Sequence, residues 1–126
     1  MLRNMTSVRL VLGVSRAAIG LGAWAAPDLT VRVFGMDPER SNRFVGRLFG
    51  ARELALATTL LAAPRPMLAP VAAVGAAVDA VDAIAGFDEA RRGNLSTRAT
   101  VLGPIGAVGF AALGVLVARR AQDAAP

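Results

Sequence analysis

The sequence predicts an all-α integral membrane protein: a four-helix bundle with a short interfacial helix between the first and second spans. Of its 126 residues, 55% are hydrophobic and only 18% are charged, whereas soluble domains are nearer a quarter charged. Four apolar segments follow one another, and residues 99–118 carry no charge over a length that crosses ~30 Å of hydrocarbon. No alternation of apolar and polar residues typical of a β-strand interrupts this pattern.

The predicted helices belong to a single domain, residues 1–126. The four spans cover residues of about 7–26, 38–62, 67–87 and 98–118. The first span resembles a signal peptide, because AWA at residues 23–25 has the form of a cleavage site. Arg16 interrupts the apolar centre of this segment, however, and we therefore expect a retained helix.

Local signals set the boundaries in the connection between the first two spans. Pro27 and Asp28 suit the start of the short interfacial helix, and Gly35 suits its end. Asp37 is then the predicted N-cap of the second span, with Pro38 in its first turn.

A soluble all-α bundle is the alternative, because only the fourth span contains an uncharged stretch long enough to cross a membrane, residues 99–118. The membrane is favoured because the first, third and fourth spans carry Ala, Gly and Val where a soluble amphipathic helix would show Lys and Glu. The richness in Ala, Gly and Arg, with no Lys, is typical of a high-GC bacterium. We therefore expect a multi-pass protein of the bacterial cytoplasmic (inner) membrane.

The composition excludes several kinds of chemistry. The chain has no Cys, His or Tyr, which excludes thiolate nucleophiles, zinc–thiolate sites and acid–base catalysis by His. Ser15, Thr58 and Thr59 are possible nucleophiles, but no His or Lys is present to activate them. The arginines are scattered and aromatic residues are few, which argues against nucleic acid as a partner. We therefore expect a protein without catalytic residues or cofactors.

Charged residues inside the spans lie on helix faces lined with small residues. Three- and four-residue spacings place Gly and an ionisable residue on one face of each of the first three spans, and small residues mark close helix contacts in membranes. The residues of this predicted intramembrane ionic network are Arg16, Arg47, Arg52, Glu53, Asp79 and Asp82. The predicted helix-packing glycines are Gly13, Gly20, Gly46, Gly50, Gly75, Gly86 and Gly103.

Pairing is the expected arrangement of such charges, because a lone charge at mid-bilayer costs at least ~2.5–3.5 kcal/mol. We expect Asp79 and Asp82 to face Arg52 or Arg16 across the bundle. Alternatively, Asp82 lies near an interface and is hydrated, and Arg43 and Arg47 extend along the second span to the lipid headgroups. The three carboxylates could also hold a hard cation such as Mg²⁺, but the nearby arginines would compete with it, so no metal site is predicted.

Two stretches, RLFGARELALA (residues 47–57) and AAVDAVDAIAGF (residues 76–87), carry a family resemblance. The chain resembles small four-helix membrane proteins of actinobacterial type and is loosely similar to the DoxX-like group. The resemblance implies a four-helix bundle in the cytoplasmic membrane and an association with membrane redox partners. It implies no catalytic residues, and it marks the Arg52–Glu53 step and the Asp79-x-x-Asp82 pair as the polar signature of the group.

Two functions follow as expectations. The first is a non-enzymatic accessory or assembly subunit that packs against other membrane protein subunits, or against itself, through Gly- and Ala-lined helix faces. Gly103, Ala107 and Ala111 form one such face on the fourth span. The alternative is a small proton-coupled transporter or ligand-binding membrane bundle, since intramembrane carboxylates with arginine partners are typical of proton-coupled carriers.

Overall fold

The protein is all-helical, as the sequence predicts. The structure, a computed structural model, describes residues 2–126 and contains no β-strand among them. The helices are α1 (Leu2–Ala25), α2 (Pro27–Val33), a 3₁₀ turn (Pro38–Arg40), α3 (Arg43–Ala62), α4 (Arg65–Arg91), α5 (Thr97–Thr100) and α6 (Gly106–Asp123). A π-helical turn, Val101–Ile105, joins α5 and α6 into one continuous helix.

The second predicted span is divided in the structure. Asp37 caps only the 3₁₀ turn, by accepting a hydrogen bond from the backbone N–H of Glu39 at 2.9 Å. The backbone is then extended at Ser41 and Asn42. Asn42 starts α3 because its side-chain oxygen accepts hydrogen bonds from the first backbone N–H groups of that helix. The expected single helix from residue 38 is therefore wrong, because a second N-cap follows the first.

Three helices are long and apolar enough to cross a membrane: Arg3–Ala25, Arg65–Arg91 and Thr97–Asp123. The chain is thus compatible with a multi-pass membrane protein. Helix α3 has 20 residues, about 30 Å of helix, but it is not among these three. Its sequence contains Arg43, Arg47, Arg52 and Glu53, which lower its mean hydropathy.

The long helices pack as two antiparallel pairs. In the first pair, α1 and α3 approach so closely that a Cβ atom on Gly50 would lie 2.7 Å from the carbonyl oxygen of Gly20. The second pair consists of α4 and the continuous helix that ends in α6. In this pair a Cβ atom on Gly86 of α4 would lie 2.7 Å from the ring of Pro104. Contacts between α1 and α6, and between α3 and α4, join the pairs.

One half of the molecule, which we name the packed half, contains the hydrophobic core. It lies where the start of α1, the end of α3, the start of α4 and the end of α6 meet. Its buried residues are Met5, Leu12, Leu60, Leu68, Ala72 and Val117. Arg9 closes this half, because its guanidinium donates hydrogen bonds to the carbonyl oxygens of Leu60, Leu61 and Ala63 at the end of α3.

The opposite half contains the π-helical turn around Pro104. Proline has no backbone N–H and cannot donate the usual hydrogen bond to the residue four positions earlier. Here the helix widens instead of breaking, and Pro104 packs against Gly86. Such single π-helical turns are frequent at functional sites.

Candidate functional site

Arg16 lies at mid-height of the assembly and contacts the three other long helices. The residue is 1% exposed. Its Nη1 donates to Glu53 Oε2 of α3 at 2.9 Å and to Asp79 Oδ1 of α4 at 3.0 Å. Its Nη2 donates to the second oxygen of Asp79 and to the carbonyl oxygen of Gly75. The guanidinium also lies 5.2 Å from the ring centre of Phe110 on α6, so one side chain joins both helix pairs.

Arg52 and Asp82 form a second ion pair beside the first one, Arg16–Asp79. Arg52 Nη1 lies 3.1 Å from Asp82 Oδ1, and Nη2 lies 2.5 Å from Oδ2. Arg52 also stacks over Phe49 at 5.1 Å. This pair is more open than the first, since the Arg52 side chain is 40% exposed and that of Asp82 is 30% exposed.

Glu53 connects the two ion pairs, because it lies beside both Arg16 and Arg52. Its Oε2 accepts the hydrogen bond from Arg16, whereas its Oε1 lies 3.7 Å from Arg52 Nη2, too far for a hydrogen bond. Among the described residues, no donor reaches Oε1 within hydrogen-bond distance. The Glu53 side chain is 3% exposed, and its Oε1 accepts no hydrogen bond from the described residues. The one fully buried side-chain polar atom without a hydrogen-bond partner among them is Nε of Arg52, so Oε1 of Glu53 keeps some accessible surface.

The depth of the network follows from the position of Asp79 in α4. Asp79 lies 14 residues after Arg65 and 12 residues before Arg91, which places it ~21 Å from one end of the helix and ~18 Å from the other. A bilayer that covered α4 would therefore hold the network near its centre, where charges are costly unless they are paired.

The structure brings together five of the six residues predicted for the network: Arg16, Arg52, Glu53, Asp79 and Asp82. Arg47 lies outside it, as a correction to the prediction. Its side chain is exposed, donates to the carbonyl oxygen of Trp24 at 3.2 Å and stacks over the Trp24 ring at 5.8 Å. Arg52 follows Arg47 by five positions, about 140° around the helix from it, so the two point to different faces of α3.

The carboxylates are arranged for arginine binding more than for metal binding. One oxygen each of Glu53, Asp79 and Asp82 lie within 4.8 Å of one another. Both oxygens of Asp79, both of Asp82 and Oε2 of Glu53 already accept hydrogen bonds from arginine. A hard cation prefers six or more oxygen ligands, and only Glu53 Oε1 is left free of arginine hydrogen bonds.

Beside the network lies a cavity of about 750 Å³, which we name the cleft. Its charged lining residues are Arg52, Glu53, Asp79 and Asp82. Its larger apolar lining residues include Ile19, Phe34, Met36, Leu48, Phe49, Leu95, Leu102, Pro104 and Phe110. The cleft occupies the half opposite the core, which we name the cleft half.

Two hydrogen bonds hold the cleft half together at its end. Arg98 Nε donates to the carbonyl oxygen of Val33 at 2.8 Å, and Ser96 Oγ donates to that of Gly35 at 3.0 Å. Gly35 has φ +80°, a left-handed conformation that favours glycine. These contacts tie the connection after α2 to the connection before α5.

The predicted packing glycines occupy three kinds of place. Gly20, Gly50 and Gly86 lie at close contacts between helices, and Gly13 lies against Leu61. Gly75 leaves room for the guanidinium of Arg16, which a Cβ atom would approach to 3.3 Å.

Two further predicted glycines make looser contacts or none. A Cβ atom on Gly46 would have only Pro27 nearby, at 3.9 Å, and one on Gly103 would have no neighbour within 4 Å. Gly103 lines the cleft. The prediction of a packing contact there is wrong because the next residue, Pro104, makes the contact with α4.

Sequence reasoning missed the cleft and the role of Arg9. The aromatic residues that line the cleft, Phe34, Phe49 and Phe110, come from three separate segments, and nothing in their spacing indicates that they meet. The sequence signal for this region is the pair Gly103 and Gly106, which add no side chain to the part of the last helix that lines the cleft.

No protein-family model matches the chain, and no curated protein or solved structure shows significant similarity to it. The resemblance to the DoxX-like group therefore stays a prediction.

Proposed function

We propose that this protein is a multi-pass membrane protein that binds an amphipathic small molecule in the cleft. The observation that carries the proposal is an apolar cavity of about 750 Å³ with its charged groups gathered at the ionic network. Ligand sites of proteins typically have volumes of ~300–1,000 Å³, mostly apolar walls and a few convergent polar groups. This is the ligand-binding alternative that the sequence left open.

The membrane setting rests on where charged and apolar side chains lie. Arg16, Glu53 and Asp79 are buried between helices, whereas Val74, Val81 and Ile84 on α4 are 59–72% exposed. Apolar residues outside and paired charges inside are the distribution expected of a protein in lipid. In this proposal α3 also crosses the membrane, in addition to the three helices that are long and apolar enough to do so, and Glu53 faces the other helices.

Binding has more support than transport. A transporter needs a route that opens to both sides of the membrane, whereas the cleft lies in one half of the assembly. The core residues of the packed half, among them Leu12, Leu68 and Val117, fill the other half. Proton-coupled transport therefore stays a prediction that would require these helices to move.

An accessory subunit is the second candidate, and one observation favours it. A Cβ atom on Gly109 of α6 would have no neighbour within 4 Å, and the residue is exposed. A second membrane helix could approach closely at such a position. Gly20, Gly50 and Gly86, by contrast, are already covered by helices of the same chain.

One purification tests both candidates. The protein is extracted from its native membrane in a gentle detergent, and the eluate is analysed by mass spectrometry for small molecules and for co-purified proteins. Gly103→Phe would place an aromatic ring in the cleft, and Gly109→Phe would add the same ring on the exposed face of α6. Apart from the adjacent residues in the chain, neither added Cβ atom meets a neighbour within 4 Å, so the two variants serve as controls for each other.

A ligand-binding protein should carry a stoichiometric small molecule that Gly103→Phe removes and Gly109→Phe retains. An accessory subunit should carry a stoichiometric protein that Gly109→Phe removes and Gly103→Phe retains. A small molecule bound equally by the wild type and both variants would contradict binding in the cleft.

A further inference from the structure

We propose that the ligand of the cleft is a lipophilic organic cation whose ammonium group donates a hydrogen bond to Oε1 of Glu53. This inference rests on the proposed function, because it names the class of molecule that the cleft binds. Three features of the site carry it: the charge of the network, the free oxygen of Glu53 and the apolar walls.

The first feature is the charge of the network. Two guanidinium groups, those of Arg16 and Arg52, face three carboxylates, those of Glu53, Asp79 and Asp82. With every group ionised, the network carries one excess negative charge. No charged side chain outside this network lines the cleft among the described residues. An anionic ligand would add to the excess, whereas a monovalent cation would neutralise it.

The second feature is the free oxygen of Glu53. Glu53 lines the cleft and is nearly fully buried, yet its Oε1 accepts no hydrogen bond from the described residues. Oε1 is not among the fully buried atoms without a partner, so it stays accessible to a donor on a ligand. An ammonium N–H within the cleft would supply both the missing hydrogen bond and the missing positive charge, and charge-assisted hydrogen bonds of this kind are among the stronger ones in proteins.

The third feature is the apolar wall, which separates an organic cation from a metal ion. Leu48, Phe49, Leu102 and Phe110 line the cleft beside Glu53. These side chains offer no oxygen ligands to Mg²⁺, and arginine hydrogen bonds occupy the other carboxylate oxygens of the network. They do offer contact area to a hydrocarbon or aromatic body attached to an ammonium group.

The test uses the full-length protein in nanodiscs of zwitterionic phosphatidylcholine. Two probes of the same shape are titrated: 1-naphthylmethylamine, which is protonated at neutral pH, and the neutral 1-naphthalenemethanol. Binding is followed by naphthalene fluorescence, and the signal from nanodiscs without protein is subtracted. We expect the ammonium probe to bind the wild type at least about tenfold more tightly than the alcohol.

Three variants assign the binding to the site. Glu53→Gln, which removes one negative charge, should bring the affinities of the two probes to within about threefold of each other. Gly103→Phe should weaken both probes, because the ring occupies the cleft. Gly109→Phe should leave both affinities unchanged, because Gly109 does not line the cleft.

Each contrary result has a distinct meaning. Equal wild-type affinities for the two probes, both weakened by Gly103→Phe, would overturn the cationic ligand and leave the proposed binding function standing. Displacement of the ammonium probe by millimolar Mg²⁺, at constant ionic strength, would assign the carboxylates to a metal ion and also overturn it. Absence of binding, or binding indifferent to Gly103→Phe, would overturn both proposals. These readings do not depend on whether Glu53→Gln folds.

Discussion

The packed half and the cleft half are built from the same kinds of apolar residue, but their helices meet differently. In the packed half, Leu12, Leu68 and Val117 are at most 1% exposed and fill the space between helices. In the cleft half, Leu48 and Leu102 remain more than 40% exposed and border a cavity of about 750 Å³. The apolar content of the two halves therefore does not explain the difference.

The difference arises from the connections and from the small residues. At the packed end only Ala63 and Pro64 separate α3 from α4, and Arg9 fixes the end of α3. At the cleft end a longer connection with its own short helices, residues 26–42, joins α1 to α3. Gly103 in the π-helical turn, with Gly106 and Ala107 of α6, then contributes little side-chain volume to the cleft wall. Short links draw helices together, and small residues without a partner leave space between them.

The ionic network forms the boundary between the halves. Its buried pair, Arg16–Asp79, lies between the helices, whereas Arg52–Asp82 opens towards the cleft. Two ion pairs whose aspartates lie three residues apart on α4 thus stand in different surroundings. Four sets of variants test how far this contrast extends.

The largest effect is expected for Arg16→Leu, which removes the side chain that joins the halves. Glu53 and Asp79 would be left as buried carboxylates without their principal cation. Breaking a buried pair in this way costs ~3–5 kcal/mol, so the variant should unfold at much lower denaturant or temperature. Circular dichroism of the protein in detergent measures the transition.

The control for Arg16→Leu is the triple variant Arg16→Leu/Glu53→Gln/Asp79→Asn, which also removes the two carboxylates that would be left without a cation. It should recover most of the lost stability, because neutral amides are much less costly to bury than carboxylates. If the triple variant is no more stable than the single one, the destabilisation comes from lost packing and the electrostatic explanation is wrong.

The next effect separates the two halves directly. Leu12→Ala should lower the free energy of unfolding by ~2 kcal/mol or more, because Leu12 is fully buried and the surrounding helices cannot close the space. Leu48→Ala removes the same atoms from the cleft wall, where the side chain is 53% exposed, and should cost less than ~0.5 kcal/mol. Equal losses, measured by denaturant titration, would mean that the cleft closes in solution.

A smaller effect is expected at the helix contacts. Gly50→Ala would place a Cβ atom 2.7 Å from the carbonyl oxygen of Gly20 and should destabilise the protein by ~1–3 kcal/mol. Gly103→Ala places its Cβ atom in space that is open apart from the adjacent residues in the chain. It should change stability by less than ~1 kcal/mol, since the helix preference of alanine offsets the crowding that Pro104 imposes on the residue before it. Thermal unfolding of the two variants side by side gives the comparison, and the opposite order of stabilities would contradict the assignment of Gly103 to the cleft.

The smallest effect is expected at the open ion pair. Asp82→Asn should change stability by ~0–1 kcal/mol, because partly exposed pairs contribute little. Asp79→Asn should cost clearly more, because that residue is 3% exposed and both its oxygens bind Arg16. Chemical denaturation of both variants, under identical detergent conditions, measures the difference. Similar losses at the two positions would show that Asp82 is as buried in solution as Asp79.

Much of the fold was readable from local patterns. Apolar segments, proline and the capping residues predicted the helices, and they placed α2 between Pro27 and Gly35. The one break they missed, at Ser41 and Asn42, came from two consecutive caps, each able to start a helix. A pattern read along the chain does not show which of two adjacent caps begins the longer helix.

The site was readable only in part. Spacing predicted that Arg16, Glu53 and Asp79 lie on inward helix faces, because a face is fixed by the helical repeat alone. Arg47 was wrongly included because its partner depends on how α3 is rotated against α1, and it contacts Trp24 instead. The pairing of each arginine with its aspartate could not be predicted for the same reason, because it depends on how the helices are rotated against one another.

The sequence by itself determined the helical class, the absence of His, Cys and Tyr chemistry, and the presence of a charged set on inward faces. These properties depend on residue type and on spacing along one helix. The tertiary structure alone decided that Arg16 joins both helix pairs, that Glu53 keeps a free oxygen and that a cleft opens beside it. These properties depend on the distances between different helices, which are set by the connections and by the close contacts at Gly50 and Gly86.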